Sequence, residues 1–344
     1  MSLFRRKIGT TLALFAMAAA SCAVAFPSVA QDLLRKGQPV KSRTKTIESF
    51  RIGHDDKQFG KLTFLGGLEL LASDRKTGGL SGLVSLDKGN AFLAVTDNGH
   101  WVAGQIEQSE AGKPLDISDV RSAPLLGADG KTLRVRWGHD TEALTVASSG
   151  AYVTAETYNA IYRYPWPMET GSERMIGKVA LPDDILSLPR NTGLESLAAA
   201  PDDHRLAGQL VAIAESAPSD AHDLAAFIIG PEGTERFAIR RHDRFDATDA
   251  AFLPNGDLLL MERRFNLRDL IGLRLRRFSS DALEPGAVLD GEVLLEADFD
   301  YQIDNMEALA VHQNEDGETI LTLVSDNNRS ILQRTIFLRF RLED

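Results

Sequence analysis

Short apolar runs recur along the chain, each preceded by an acid or a small polar residue. "GGLSGLVSL" puts Ser81 in that place, "GHDTEALTV" Glu142, "NTGLESLAA" Glu195, "DATDAAFLP" Asp249 and "DNMEALAVH" Glu307. These positions stand 61, 53, 54 and 58 residues apart. Each run is followed, 13 to 20 residues later, by a second apolar run ending on an acid: "LAVTDNG" (Asp97), "YVTAET" (Glu156), "LVAIAES" (Glu215), "LLLMER" (Glu262) and "TLVSDNN" (Asp326). Turn signals separate the two runs: "DKGN", "SSG", "PDDH", "PNGD" and "NEDGE". The unit is strand, tight turn, strand, then a more variable half. "LRDLIGLRLRRF" has helical spacing, yet Gly272 and the alternation of Leu273 and Leu275 with Arg274 and Arg276 fit a strand at least as well.

Repeats of this length built from short strands predict the four-stranded blades of a β-propeller. Five units are visible. "KLTFLGGLELLA" near the start and "TIFLRFRL" at the end are further strand material. Pairing first and last segments closes a ring and removes free sheet edges. The expectation is therefore an all-β chain with one six-bladed propeller over residues 46–344, preceded by a polar leader, residues 31–45, with "KGQPVKSRTK".

The first thirty residues read as a secretory signal. Arg5, Arg6 and Lys7 precede the apolar "IGTTLALFAMAAASCAVAF", and "SVAQ" suits cleavage before Gln31. The alternatives are a membrane anchor, which Ser21 and two threonines weaken, and a lipidated Cys22, whose "AAASC" lacks the usual Leu. Cys22 is the only cysteine, so an exported mature chain would have no disulfide and would rely on packing or bound ions. The expected location is the periplasm or the exterior, as a monomer without a membrane span after cleavage. The formal net charge is −11, and loss of Arg5, Arg6 and Lys7 takes it to −14. That balance speaks against nucleic acid as a partner and suits hard cations.

In a propeller the innermost strands line a central channel, and their starts meet at one mouth. Glu142, Glu195, Asp249 and Glu307 would converge there, with Ser81 completing the set. The second strands run antiparallel and return Asp97, Glu156, Glu215, Glu262 and Asp326 to the same face; Asp304 stands beside Glu307. Carboxylates packed together need protons or a cation, and Ca²⁺ takes six to eight oxygen ligands. The alternative for any one acid is to cap a turn or to pair with Arg263 or Arg264.

The series "GGLSGL…TDNG", "DTEAL…AE", "NTGLESLA…AES", "FLPNGDLLLMERRF" and "DNMEALAV…LVSDNN" resembles the phytase-like family, the esterase-like activity of phytase proteins, over about residues 60–342. The resemblance implies a β-propeller, an exported setting and phosphate-ester hydrolysis with calcium on a small-molecule substrate. One departure stands out. Where the family often has Gly after the repeated Glu, this chain has Ala143, Ser196 and Ala308, whose side chains would narrow the backbone's approach to a ligand.

Such chemistry needs cations to neutralise phosphate, a carboxylate to orient or deprotonate water, and cationic side chains for the remaining oxygens. Glu142, Glu195 and Glu307 are the candidate catalytic acids; Arg263, Arg264 and Ser81 are the candidate substrate contacts. Ser81 as a nucleophile is disfavoured, because Leu83 stands where an elbow motif requires Gly. The histidines show no zinc spacing, although His100 and His139 lie near the expected rim. Two other readings remain open: a non-catalytic propeller that binds a ligand or partner, and a calcium-dependent lactonase or carboxylesterase.

Overall fold

The computed structural model describes residues 32–133, 140–189, 193–216, 223–266 and 270–343. The expected signal segment and His139 lie outside them. The described chain is almost entirely strand, in five antiparallel-based sheets. Blade 1 runs outward through Leu80–Leu86, Ala91–Thr96, His100–Gln108 and Pro114–Pro124. Blade 2 has Thr141–Ala147, Gly150–Ala155, Ala160–Tyr164 and Gly177–Lys178. Blade 3 has Leu194–Ala199, Leu210–Ala214, Leu224–Gly230 and Gly233–Ile239, with Val288–Leu289 added in parallel. Blade 4 has Asp246–Phe252, Leu258–Asn266, Leu270–Phe278 and Glu292–Ala297, so the arginine-rich segment with two possible readings is a strand.

Blade 5 corrects the count. Its inner pair is Asn305–Gln313 and Thr319–Asp326, followed by Thr335–Leu342, then Leu62–Ala72 and Ser42–Ile47 from the other end of the chain. Thr335–Leu342 pairs antiparallel with Leu62–Ala72, which is the expected closure. The ring nevertheless has five blades, not six, because these terminal strands complete the last unit rather than build another. The packing says the same. The inner strands touch their neighbours in a closed circle of five. Five apolar clusters fill five blade interfaces: Leu93 and Val95 meet Leu144 and Val153, Ala143 meets Leu197, Ile213 meets Leu260, Met261 meets Leu323, and Ala308 meets Leu83.

The polar leader is built into the ring. Leu34 is fully buried between blades 1 and 2. Gln38–Pro39 pairs with Pro114–Pro124 of blade 1, and Ser42–Ile47 pairs with Leu62–Ala72 of blade 5. The leader thus covers two neighbouring sheet edges that would otherwise expose unpaired backbone groups. Among the described residues, no helix is long and apolar enough to cross a membrane.

Candidate active site

Every inner strand is irregular near its start. The register with the second strand shifts at Ser81 in blade 1, at Glu142 and Ala143 in blade 2, at Glu195 in blade 3, at Thr248 in blade 4 and at Glu307 in blade 5. A bulge turns an extra side chain out of the pleat, and in blades 1, 2, 3 and 5 it is one that lines the channel mouth. In blade 2 the Ala143 N–H freed by the shift donates to Thr154 Oγ1 at 2.8 Å.

The same register aligns the acids of the second strands. Asp97, Glu156 and Glu215 donate their N–H groups to the carbonyls of Gly79, Asp140 and Gly193 at 2.9, 2.8 and 2.8 Å. Asp326 stands opposite Asn305, and Arg263 stands opposite Asp246. The equivalent of the second-strand acid in blade 4 is therefore Arg263, and the equivalent of the inner-strand acid is Thr248.

Glu262 and Asp249, the expected members from blade 4, do not line the cavity. Each is one residue out of register, and a strand sends successive side chains to opposite faces. Glu262 is fully buried and takes a two-pronged ion pair from Arg276, Nε at 2.7 Å and Nη2 at 2.5 Å. Asp249 accepts the N–H of Ala250 at 2.8 Å and that of Leu309, in the next blade's inner strand, at 2.8 Å. Asp249→Ala is therefore expected to destabilise the fold by about 3 kcal/mol, with or without added cation, because two buried donors lose their acceptor. Denaturant unfolding checks this; an unchanged midpoint would show that the donors find other partners.

The remaining expected residues surround one cavity of about 890 Å³: Ser81, Asp97, Glu142, Glu156, Glu195, Glu215, Arg263, Arg264, Asp304, Glu307 and Asp326. Asp140, Asp246 and Asn305 join them from the row just before the bulges. Sequence reading passed over Asp140 and Asp246 as site residues, although each stands two residues before the bulge position of its blade. Two glycines of that row let acids come close. A Cβ on Gly79, whose φ is +81°, would stand 2.2 Å from Asp97 Oδ1, and one on Gly193 would stand 3.2 Å from Glu156 Cγ and 2.1 Å from the Asn159 amide oxygen. Gly193 also donates its N–H to Glu156 Oε1 at 3.2 Å.

Some of the charge is paired. Asp97 bonds Arg329, and Asp246 takes Arg241 Nη2 at 2.5 Å. Asp304 accepts the N–H groups of Asn305 and Arg334 at 2.9 and 3.0 Å. Arg263 reaches into the ring, with Nη1 on Asn305 Oδ1 and Glu307 Oε1 and Nη2 on Glu215 Oε1 at 3.3 Å. Arg264 lies 4.5 Å from the Phe245 ring centre and donates to the Asp243 carbonyl. The Ser81 hydroxyl is turned to the Gly79 carbonyl at 3.1 Å.

Asp140, Glu142, Glu156 and Glu195 have no basic partner among the described residues' ion pairs. Burial pushes the Glu142 and Glu195 carboxyls well above their usual range, and neighbouring carboxylates push them further. Burial also raises Asp140 and Glu156. It carries Glu215 and Glu307 to about 7 against the pull of Arg263, and Asp326 to about 6. Two trios bring one oxygen from each residue within 4.8 Å of the others: Asp140, Glu142 and Glu156, and Glu156, Glu195 and Glu215. Glu156 belongs to both. An all-oxygen donor set in which Glu215 alone has a basic ion-pair partner among the described residues fits a hard divalent cation, Ca²⁺ included.

The family profile described as "Phytase-like: Esterase-like activity of phytase" matches residues 75–329. The chain belongs to the phytase-like family. No curated protein matches this phytase-like chain. Among solved structures it is similar to a bifunctional GH43-CE protein of Bacteroides eggerthii, at 15% identity and TM-score 0.44, over 76% of this chain and 33% of that one. It therefore spans about a third of that protein's length. An endo-arabinase from Bacteroides thetaiotaomicron shares 11% identity at TM-score 0.46, over 76% of this chain and 94% of that one. A putative 6-phosphogluconolactonase from Bacteroides uniformis shares 13% at TM-score 0.35, over 86% and 81%. The departure from the family's Gly has an explanation in the packing of this phytase-like chain. Ala143 and Ala308 are fully buried in apolar clusters between blades, and Ser196 is fully buried on the inner strand of blade 3. None of the three lines the cavity, so they do not narrow it.

Proposed function

We propose that this chain hydrolyses phosphoric monoesters with a hard divalent cation, calcium foremost, held at the channel mouth. The observation that carries the reading is the pair of carboxylate trios sharing Glu156 inside one large cavity. Asp140, Glu142, Glu156, Glu195 and Glu215 would hold the cation. Bound there, it supplies positive charge for phosphate oxygens and makes a coordinated water more acidic.

The chain's own residues supply the rest. Arg263, presented by the second strand of blade 4, has Nη1 taken by Asn305 and Glu307, so a phosphoryl oxygen takes the Nη2 hydrogen that Glu215 leaves and the guanidinium charge. Glu307 is held by Asn305 Nδ2 at 2.7 Å and by Arg263, both on Oε1. Oε2 is then the atom that takes a proton from the attacking water. Asp97 of blade 1 and Asp326 of blade 5 keep their own partners, Arg329 and the Asn328 N–H. The proposal includes export, with residues 1–30 removed before the protein acts as a monomer.

The test is phosphate release from a panel of small monoesters by the mature chain, with Ca²⁺, Mg²⁺ or Mn²⁺ and with chelator. Release that chelator stops and cation restores is expected. Cation-dependent cleavage of carboxylic esters or lactones alone would replace the phosphate reading. No turnover of any ester would leave a ligand-binding propeller.

A further inference from the structure

Charge runs all round the cavity, but among the described residues its apolar side chains stand on one side only. Its blade 2 and blade 3 side carries the carboxylate trios. Its blade 4 and blade 5 side carries Phe265, Ile271, Phe299 and Ile303. Phe265 and Ile271 face each other across the second and third strands of blade 4. Phe299 and Ile303 lie on the connection that enters the inner strand of blade 5. Ile303 is buried in the core between these blades, and Ile271 packs against the same core, so the wall has a fixed base. The rings in front of it are open: Phe265 is 79% exposed and Phe299 58%. Among the described residues these are the only strongly exposed phenylalanines, and both sit at this mouth.

Two phenyl rings left in water at the edge of an acidic cavity are costly unless something apolar covers them. Arg263 stands between the two halves, with Glu215 on one side and Asn305 and Glu307 on the other. The cationic side chains of the cavity are few. Among the described residues no lysine lines it, Arg264 is engaged by Phe245 and Asp243, and ten carboxylates face inward. A substrate carrying many phosphates would meet those carboxylates with few compensating donors.

We propose that the substrate is a monoester with a single phosphoryl group on an apolar, ring-bearing alcohol, and that Phe265 and Phe299 form the subsite for that alcohol. This rests on the phosphoryl reading above and adds the identity of the leaving group. The phosphoryl end lies against Arg263 and the acids; the ring lies against the two phenylalanines. A highly phosphorylated polyol has no apolar group to cover the two rings.

The test separates binding from turnover. Calorimetry with the full mature chain and Ca²⁺ compares 2-phenylethylphosphonate with ethylphosphonate, which share the same charged head. Burial of the ring is expected to tighten Kd at least about tenfold. Phe265→Ala and Phe299→Ala are each expected to bring the two constants together, and their exposed positions keep folding out of the comparison. Equal constants in the parent protein, or a preference that survives both substitutions, would overturn the subsite. Turnover of 2-phenylethyl phosphate is then set against ethyl phosphate and inositol hexakisphosphate. A lower KM for the first supports the proposal; a preference for the hexakisphosphate overturns it. Tight binding of the phenylethyl phosphonate without any phosphate release keeps the subsite and removes the hydrolase reading.

Discussion

Glu195→Gln is expected to stabilise the chelated protein and to remove most of the rise in thermal midpoint that a divalent cation produces. Glu195 is 7% exposed, lies among Glu142, Glu215 and Glu307, and is pushed well above its usual range by burial and by those neighbours. Without cation its ionisation opposes folding, and a neutral amide of the same shape relieves that cost. With cation the sign reverses, because the Glu156–Glu195–Glu215 trio loses an oxygen donor of full charge. Affinity is expected to fall by about a hundredfold or more, since even residues that only support a metal ligand cost 10–100-fold. Glu307→Gln supplies the contrast. Glu307 belongs to neither trio and is held by Arg263 and Asn305. Its replacement is expected to leave the cation-induced rise largely intact and to lower kcat by about 10²–10⁴-fold. Scanning calorimetry with chelator and with Ca²⁺, beside steady-state kinetics, reads both. If both variants lose stability equally with and without cation, the carboxylates are structural and the cation site fails.

The metal-free protein should lose stability as pH rises from about 5 to 8. Glu215 and Glu307 sit at about 7 in the folded chain against an ordinary 4.5, with burial as the main cause. A raised folded pKa means that the native state holds protons the unfolded chain has already released. The stabilisation is complete below about 4.5 and is lost as pH climbs through about 7. Each group alone corresponds to on the order of 3 kcal/mol, and the two share neighbours, so their contributions do not simply add. For a chain of this size the expected fall in midpoint is on the order of 10 °C. Saturating Ca²⁺ should abolish the fall, since a cation bound only to the folded form stabilises it most where the carboxylates are ionised. Midpoints measured at pH 5 and pH 8 in chelator decide the matter. A flat profile would mean that the acids keep ordinary affinities, for instance through water reaching the ring.

The repeat was legible along the chain because it is local. A strand, a turn of Gly, Asn or Asp, and a second strand leave a pattern within about twenty residues, and an acid at a fixed place in several units stands out against apolar neighbours. On that basis the propeller class, the closure through terminal strands, and the mouth positions in blades 1, 2, 3 and 5 follow from the amino-acid sequence by itself. Blade 4 did not follow. "TDAAF" and "LLLMER" each offer an acid at nearly the right spacing, but the bulge falls on Thr248 and the mouth position on Arg263. A slip of one residue in a strand reverses the face, so Asp249 and Glu262 become ties within and between sheets rather than cavity groups.

The blade count was a matter of pairing between distant segments. Residues 62–72 and 335–342 look like strands wherever they lie, and nothing in their own alternation says which sheet they join. Hydrogen bonding of Thr335–Leu342 to Thr319–Asp326 on one side and to Leu62–Ala72 on the other puts both in blade 5. The apolar wall is equally a product of assembly. Phe265 lies on one strand and Phe299 on a connection, and they meet at one mouth only because blades 4 and 5 pack side by side. Strand periodicity, turn chemistry and composition act over neighbouring residues and are written in the sequence. Register, blade number and the one-sided apolar wall of the cavity depend on which distant backbones share hydrogen bonds, and the tertiary structure alone decided them.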